Sequence, residues 1–242
     1  MSLTKIVRFT LSLLLAVPFN LNAQEKTVNV DWERGIRLGC DLSRFALSTF
    51  QPERKGVEFS IDTEWKRNLF VTAEVGAEKV SDKSNRVDYT SNGFYGRIGI
   101  DHNIFSRHDN PQSKDIVYVG ARYGFYSVTQ RTDSYFIPEG YWGNTSGSLA
   151  TETLTGHWIE GVFGVKVELL KNIFLGLSAR GRFLIFSQKN LNYPDYMPGF
   201  GDGSNKFNYG LNYSVYYQLP LMKVKAKPVE KKNVKGVKNV KK

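Results

Sequence analysis

The chain has very little cysteine, few histidines and few long apolar runs. Its single cysteine, Cys40, excludes an intramolecular disulfide and therefore a disulfide-stapled secreted domain. Cys40 lies too far from the N-terminus for a lipoprotein, so we interpret it as a small apolar side chain. The three histidines, His102, His108 and His157, lack the spacing of metal ligands. We therefore expect no metal and no cofactor.

Only one stretch of the sequence, residues 9–19, is a sustained apolar run. Lys5 and Arg8 precede it and the small residue Ala23 follows it, which is the pattern of a secretory signal peptide over residues 1–23. The run is too short for a membrane-spanning helix, which needs about 20 residues. The sequence therefore predicts an exported protein without a transmembrane helix.

The positive charge of the chain is concentrated at its two ends. The net charge is +10, of which the signal peptide carries two charges and residues 223–242, with nine lysines and one glutamate, carry eight. The part between them is therefore neutral, which argues against a nucleic-acid partner. We predict that residues 223–242 form a disordered periplasmic tail that can contact anionic lipid headgroups or the cell wall.

Strict alternation of apolar and polar residues dominates the rest of the chain. In VEFSID, residues 57–62, apolar and polar side chains alternate, as in a strand with one apolar and one polar face. Eight segments of roughly ten to sixteen residues show this pattern. They are 35–47, the two strands of 56–80, 93–105, 115–129, 154–169, 173–187 and 206–219. Residues 27–32 form a further candidate strand.

The connections between these segments alternate between short and long. KRN and LKN are tight, and SRHDNPQSK is intermediate in length. The other four links are longer: 48–55, 81–92, 130–153 and 188–205. Short periplasmic turns opposite long extracellular loops are typical of outer-membrane barrels. We therefore predict an all-β fold: a closed, up-and-down, antiparallel transmembrane β-barrel of eight strands within residues 24–222.

The polar face of the predicted strands carries charges of both signs, which fits a narrow lumen in which opposite charges pair. Aromatic residues such as Phe94, Trp65 and Tyr217 lie toward strand ends on the apolar face, as in interfacial belts. The predicted lumen charge network consists of Arg37, Asp41, Glu58, Asp62, Glu74, Arg97, Asp101, Arg122, Glu160, Lys166, Arg180 and Arg182. We interpret it as a structural filling of salt bridges, with a proton or ion path as the alternative.

One segment near the end of the barrel resembles a known signal. NYGLNYSV, residues 208–215, resembles the C-terminal insertion signal of bacterial outer-membrane barrels, with Val215 in place of the last aromatic residue. The leader ending in AQE, the barrel length and the lysine-rich tail look like uncharacterised Bacteroidota outer-membrane barrel families, one of them a domain of unknown function. The layout is also similar to small eight-stranded outer-membrane proteins. The resemblance implies a Gram-negative outer membrane, with its lipid and the barrel-assembly machinery as partners, and no catalytic residues.

Two long predicted loops, 135–144 and 192–203, combine aromatic residues with turn formers. Exposed loop aromatics often form binding surfaces. The predicted surface consists of Tyr135, Phe136, Tyr141, Trp142, Tyr193, Tyr196 and Phe200. The alternative is that these residues pack together and cap the barrel mouth.

The sequence leaves three functional classes open. The first is a non-enzymatic barrel that acts as a structural envelope component or through its surface loops. The second is an outer-membrane lipid hydrolase or acyltransferase, which would use His157 with Ser187 or Ser127 and with Glu152. The third is a soluble periplasmic lipocalin-like binder with its apolar face turned inward.

Overall fold

A computed structural model of the chain describes residues 32–105, 113–140, 143–188 and 196–224. These residues belong to one compact unit, Asp31–Lys225. The predicted signal peptide and nearly all of the predicted tail lie outside the described residues.

Within the described residues, one helix and ten strands follow each other along the chain. Their bounds are β1 (Trp32–Asp41), α1 (Ser43–Phe50), β2 (Arg54–Lys66), β3 (Leu69–Lys83), β4 (Val87–Asn103), β5 (Ile116–Gly140), β6 (Gly143–Leu170), β7 (Ile173–Ser187), β8 (Tyr196–Met197), β9 (Gly201–Asp202) and β10 (Phe207–Val224).

Eight of these strands, β1 to β7 and β10, form a single closed antiparallel barrel in which each strand pairs with the barrel strands before and after it in the chain. The ring closes between β1 and β10, with Ile36 opposite Leu219 and Asp41 opposite Ser214. The predicted all-β, up-and-down fold of eight strands is therefore confirmed. Closure pairs the backbone of every wall strand on both sides, so the barrel itself has no free edge.

The two tightest connections share one local design. Asn68 and Asn172 adopt positive φ angles of 64° and 65°, which asparagine tolerates better than most residues. The backbone N–H of each asparagine donates to the glutamate four residues earlier, Glu64 in one turn and Glu168 in the other, at 2.8 and 2.7 Å. We call the end of the barrel that carries these turns the turn end and the opposite end the loop end.

The two faces of the wall differ as the alternation predicts. On β1, Leu38 is 45% exposed on the outside whereas Arg37 is 3% exposed on the inside. On β4, Ile98 is 59% exposed whereas Arg97 is 3% exposed. The apolar face therefore lies outside the barrel and the charged face lies inside.

A helix replaces the second half of the first predicted strand. The alternation predicts a strand over residues 35–47, but β1 ends at Asp41 and α1 occupies Ser43–Phe50. The chain turns because the Asp41 carboxylate accepts hydrogen bonds from the Ser43 backbone N–H and hydroxyl, at 2.8 and 2.5 Å, a local turn typical of aspartate. Within the described part of the chain, no helix is long and apolar enough to cross a membrane.

Two predicted long loops are extended strands instead. Residues 81–92 continue β3 and β4 into a hairpin with Ser81 opposite Thr90. Residues 130–140 lengthen β5 to 25 residues and residues 143–153 lengthen β6 to 28 residues. Both strands are longer than the predicted length of roughly ten to sixteen residues. The threonines of this stretch support the extension because threonine is enriched in β-strands. The described parts of these two connections therefore contain more regular strand than the sequence predicts.

The last loop-end connection folds back into the mouth of the barrel. β8 and β9 pair as a small hairpin, with Tyr196 opposite Asp202. We call residues 196–202 the plug, because Met197 and Phe200 within it are fully buried.

The predicted limits of the barrel shift slightly at both ends. β1 begins at Trp32, the last residue of the candidate strand 27–32. β10 ends at Val224, two residues inside the predicted tail. Most of the intermediate link 106–114 lies outside the described residues.

Candidate functional site

The structure places every side chain of the predicted lumen charge network inside the barrel. All twelve are buried, with at most 8% of the residue exposed. They are Arg37, Asp41, Glu58, Asp62, Glu74, Arg97, Asp101, Arg122, Glu160, Lys166, Arg180 and Arg182. Inward alternation on a closed sheet brings all of these strands' charges into one narrow space.

Arg97 is at the centre of this network. Its Nη1 atom lies 2.8 Å from Glu58 and 2.6 Å from Glu74, and its Nε atom lies 3.0 Å from Glu160. Its guanidinium also covers the ring of Tyr95, at 4.7 Å from the centroid. Three carboxylates from three different strands therefore neutralise one arginine and connect β2, β3, β4 and β6 through the lumen.

A second arginine reinforces the same carboxylates from the opposite wall. Arg180 on β7 pairs with Glu74 on β3 through two hydrogen bonds of 2.6 and 3.2 Å. Arg122 pairs with Asp101 through another two-bond contact, at 2.7 and 2.8 Å. Such bidentate pairs are the strongest geometry for these groups, so the middle of the barrel is a cross-linked ionic layer.

Toward the turn end the lumen becomes aromatic. Asp62 accepts hydrogen bonds from both Arg37 and Lys166, each at 2.6 Å. The Arg37 guanidinium lies over the Phe70 ring, and the Lys166 ammonium lies 4.4 Å from the Tyr216 centroid. The faces of these aromatic rings attract the cations electrostatically.

Arg44 is an interior residue that the sequence analysis misses. It extends from α1 into the lumen, where it pairs with Glu78 and, at 3.0 Å, with Glu58. Burial lowers the pKa of Arg44, but Glu78 and Glu58 raise it more, so the pKa lies above its ordinary value. The sequence feature that could have revealed Arg44 is Asp41 followed two residues later by Ser43. This pair favours a turn, and a turn here ends the strand before Arg44.

The plug is held by polar contacts with the ionic layer. Arg97 donates to the carbonyl oxygen of Gly199 at 3.1 Å, and Arg182 donates to that of Phe200 at 3.2 Å. The Gly199 N–H donates to Glu78 at 3.2 Å. The plug backbone therefore completes the coordination of groups that the wall alone leaves unsatisfied.

Two apolar clusters enclose the ionic layer. At the loop end, the plug residues Met197 and Phe200 pack with inward wall residues. These are Tyr95, Tyr126, Val128, Leu154 and Trp158. Nearer the turn end, Phe70, Ile116, Tyr118 and Val162 form the second cluster. Side chains thus fill the lumen on both sides of the charges, as expected for eight strands.

The predicted loop surface is only partly where the sequence places it. Phe136 is exposed, and Tyr135 and Tyr196 are half-buried. Phe200 is a correction: it is fully buried and packs edge-on against Trp158, with centroids 6.0 Å apart. Side chains in the plug cap the mouth, as in the alternative interpretation. Tyr141, Trp142 and Tyr193 lie outside the described residues.

Of the two candidate serines in the enzyme hypothesis, Ser187 lies on the opposite face of the wall from His157. Ser127, between the inward residues Tyr126 and Val128, shares the outward face with His157. His157 points outward, where it stacks on Phe186 with centroids 5.6 Å apart. Ser187 instead hydrogen-bonds with the inward residue Tyr126 at 2.7 Å. A nucleophile and its base must be within hydrogen-bond reach, so the His157–Ser187 pair is not assembled. Among the described residues, no cluster of histidine, cysteine and acidic side chains could hold a metal ion.

Three solved structures resemble the fold at low identity. Ail, the attachment invasion locus protein of Yersinia pestis, is 8% identical with a TM-score of 0.39 over 79% of this chain and 100% of its own. The N-terminal β-barrel domain of Pseudomonas aeruginosa OprF is 12% identical with a TM-score of 0.38, over 77% and 98%. Neisserial surface protein A (NspA) is 10% identical with a TM-score of 0.39, over 77% and 95%.

Comparison with curated protein sequences finds no match. A family model does match, and it covers residues 3–224, which is most of the chain. The chain therefore belongs to the family described as Domain of unknown function (DUF6048).

Proposed function

We propose that this protein is an integral outer-membrane barrel with a sealed, non-conducting interior, which acts as an envelope component through its loop end. One observation carries the proposal: the exposed outer face is apolar around the whole ring while the buried inner face is ionic. Outward side chains on successive strands include Leu38, Phe59, Val75, Ile98, Phe125, Phe163, Leu177 and Leu211, each at least 45% exposed. In water such a surface would aggregate, whereas hydrocarbon accommodates it.

The position of outward aromatic residues supports a membrane crossing. Trp65, Phe105 and Tyr217 are exposed near the turn end, and Phe94, Phe207 and Tyr209 are exposed toward the loop end. Belts of this kind flank the apolar band of outer-membrane barrels at both interfaces. By the same analogy, the turn end faces the periplasm and the loop end faces outward.

The interior argues against both rival classes. A lipocalin-like binder would enclose its ligand in an apolar cavity, whereas this lumen is filled by arginines and carboxylates. A lipid-modifying enzyme would need His157 paired with Ser187 or Ser127. Ser187 lies on the inner face, and the His157 Nδ1 atom is buried without a hydrogen-bond partner among the described residues. We therefore favour a non-enzymatic role.

The proposal retains several finer expectations from the sequence. They are a cleaved signal peptide over residues 1–23, insertion by the barrel-assembly machinery, a Bacteroidota source and a periplasmic basic tail. Outer-membrane lipid is the expected partner of the outer face. The tail carries nine lysines, and their positive charge would attract anionic headgroups or the cell wall.

Fractionation tests the location. The protein expressed with residues 1–23 intact should enter the outer-membrane fraction and resist extraction by alkaline carbonate, because its apolar band is in lipid. It should also migrate differently in gels before and after boiling, as closed barrels do. Release by carbonate without detergent would contradict the proposal and favour the soluble binder. A shortened chain ending at Val224 should behave the same, since β10 ends there.

A separate measurement tests the sealed interior. Purified barrel reconstituted into a planar bilayer should give no discrete conductance steps, because both apolar clusters and the plug obstruct the lumen. A variant in which residues 196–202 are replaced by a short glycine–serine link is the matched comparison. Stable steps from the unaltered protein would contradict the sealed interior without affecting the membrane location.

A further inference from the structure

A cavity of about 390 Å³ lies at the loop end of the barrel. It is enclosed by α1, the plug and the inner side of β10 around Asn208 and Asn212. This volume lies within the range of small-molecule pockets, about 300–1,000 Å³. We call it the mouth pocket.

The charges of the mouth pocket are unbalanced. Three arginines line it, Arg44, Arg54 and Arg182, but only one carboxylate does, that of Asp202. Asp202 already accepts hydrogen bonds from the backbone N–H and hydroxyl of Ser204, at 2.8 and 2.6 Å. Arg44 is already paired with Glu78 and Glu58. The excess of positive charge on the pocket wall therefore comes from Arg54 and Arg182.

Arg182 is the least satisfied buried cation in this pocket. Its Nη1 atom donates to the carbonyl oxygen of Phe200. Its Nε atom lies 3.3 Å from Glu160 but is buried without a hydrogen-bond partner among the described residues. Glu160 is also shared, because it lies 3.0 Å from Arg97 and accepts from the Trp158 indole at 2.7 Å. Arg182 therefore shares a single acid and has no bidentate carboxylate partner, and a guanidinium of this kind on a cavity wall is a site for an anion.

Arg54 supplies a second cationic group on the same pocket. Its closest carboxylate is Glu78 at 3.8 Å, which Arg44 already occupies. Its guanidinium stacks over the Tyr196 ring, 3.8 Å from the centroid. The ring fixes the plane of the guanidinium but leaves its N–H edge available, which is the geometry used to recognise phosphate or carboxylate.

Asn212 indicates which second chemical group the ligand carries beside its anionic group. Its Nδ2 atom donates to Asp41, whereas its Oδ1 atom is buried without a hydrogen-bond partner among the described residues. A fully ionised oxyanion offers no donor to this oxygen, whereas a hydroxyl group does. The ligand should therefore carry a hydroxyl next to its charged group.

We propose that the mouth pocket binds an oxyanion with a neighbouring hydroxyl, of the class of sugar phosphates and sugar acids. Arg182 and Arg54 hold the oxyanion, and the Asn212 amide oxygen accepts from the hydroxyl. Two sources offer this chemistry: a free phosphorylated sugar and the headgroup of a phosphorylated glycolipid. Both can approach from the loop end, where the cavity lies.

Isothermal titration of the full-length mature barrel, refolded in a zwitterionic detergent, tests the pocket with defined probes. Glucose 6-phosphate should bind, and inorganic phosphate should bind about tenfold more weakly because it lacks the sugar hydroxyl for Asn212. Glucose should not bind, because the arginines supply most of the affinity. The absence of heat from both phosphate-containing probes in low-salt buffer would overturn the proposal.

Variants locate the binding. R182Q and R54Q should each weaken glucose 6-phosphate binding by about tenfold or more, whereas R131Q, on the exposed hairpin, should leave it unchanged. Arg54 is partly exposed and its nearest carboxylate, Glu78, is 3.8 Å away, so R54Q keeps the test valid if R182Q fails to fold. N212A should reduce the preference for glucose 6-phosphate over inorganic phosphate. Equal affinity in R54Q, R131Q and the unaltered protein would place the binding elsewhere and overturn the assignment.

A competition experiment separates the two sources. Micelles doped with lipid A, a phosphorylated glycolipid, are titrated into the barrel beside micelles of the zwitterionic detergent alone. If lipid A displaces glucose 6-phosphate from the unaltered barrel and fails to associate with R54Q, the headgroup is the source. If lipid A leaves glucose 6-phosphate bound, the free sugar phosphate is the source. These titrations are done in detergent, so their failure is distinguishable from failure of the membrane-location proposal.

Discussion

Arg97 and Arg182 are both buried arginines that face the same lumen, yet their surroundings differ. Arg97 lies within 3.0 Å of three carboxylates, Glu58, Glu74 and Glu160. Arg182 shares only the last of these, at 3.3 Å, and lines the mouth pocket. Both side chains are shielded from water, so the difference lies in how many acids and how much empty space surround each cation.

This difference separates a structural role from a binding role within one network. A buried cation with a full set of acids has nothing left to offer a ligand, and its removal damages the fold. A buried cation with too few acids carries a desolvation cost that a ligand can relieve. The ionic layer and the mouth pocket are therefore expected to respond differently to the same arginine substitution.

The largest effect should come from removing the central cation. R97M should destabilise the barrel by about 3–5 kcal/mol, because three buried carboxylates lose their common partner. Urea unfolding in detergent, followed by gel migration or tryptophan fluorescence, measures the change. R97K keeps the charge but loses the planar fork, so it should be intermediate. A loss below about 1 kcal/mol for R97M would mean that the network reorganises around the gap.

Ile98, the neighbour of Arg97 on the outer face, should tolerate apolar side chains and not charged ones. Arginine is required at position 97, but I98R places a charge on the apolar outside and should cost about 2–4 kcal/mol if that face is in hydrocarbon. The matched control is I137R, since Ile137 is an exposed residue of the hairpin beyond the barrel. Insertion and unfolding in lipid vesicles measure both. Equal costs for I98R and I137R would contradict a lipid-facing band at Ile98.

The sequence predicts the wall of the barrel much better than the ends. Alternation has a period of two, and the closed sheet keeps that period in every wall strand, so Arg37, Arg97 and Arg182 could all be placed inside from the sequence. The outward position of residues such as Leu38 and Ile98 follows from the same rule.

The parts that sequence reasoning misses are set by local turns and by space in the lumen. Alternation continues through Asp41 and Leu42, so only the Asp41–Ser43 turn marks the start of α1 and the inward position of Arg44. The plug sequence is rich in turn residues and therefore resembles a surface loop. Whether Phe200 enters the mouth depends on room beside Trp158, which the local sequence does not encode.

The substitution G199A should disturb the plug and leave the barrel folded. Gly199 has a φ of +72°, and an added Cβ would lie 2.5 Å from the Tyr95 ring. We expect a local cost of about 1–2 kcal/mol, which should appear as faster hydrogen exchange in residues 196–202. G161A is the control, because a Cβ at Gly161 meets no atom within 4 Å. Equal exchange in G199A and the unaltered protein would mean that the plug is not anchored at Gly199.

The smallest effect should come from an ion pair of similar length outside the lumen. Arg131 and Asp133 on β5 lie 2.5 Å apart, about as close as Arg97 and Glu74, but their side chains are 63% and 45% exposed. Water screens such a pair, so D133N should change stability by less than about 1 kcal/mol. Urea unfolding of D133N and R97M under the same conditions makes the comparison direct. A loss of several kcal/mol in D133N would show that proximity alone governs these pairs. The small change expected for D133N, beside a large one for R97M, would show instead that the stability contributed by the ionic layer depends on its exclusion from water.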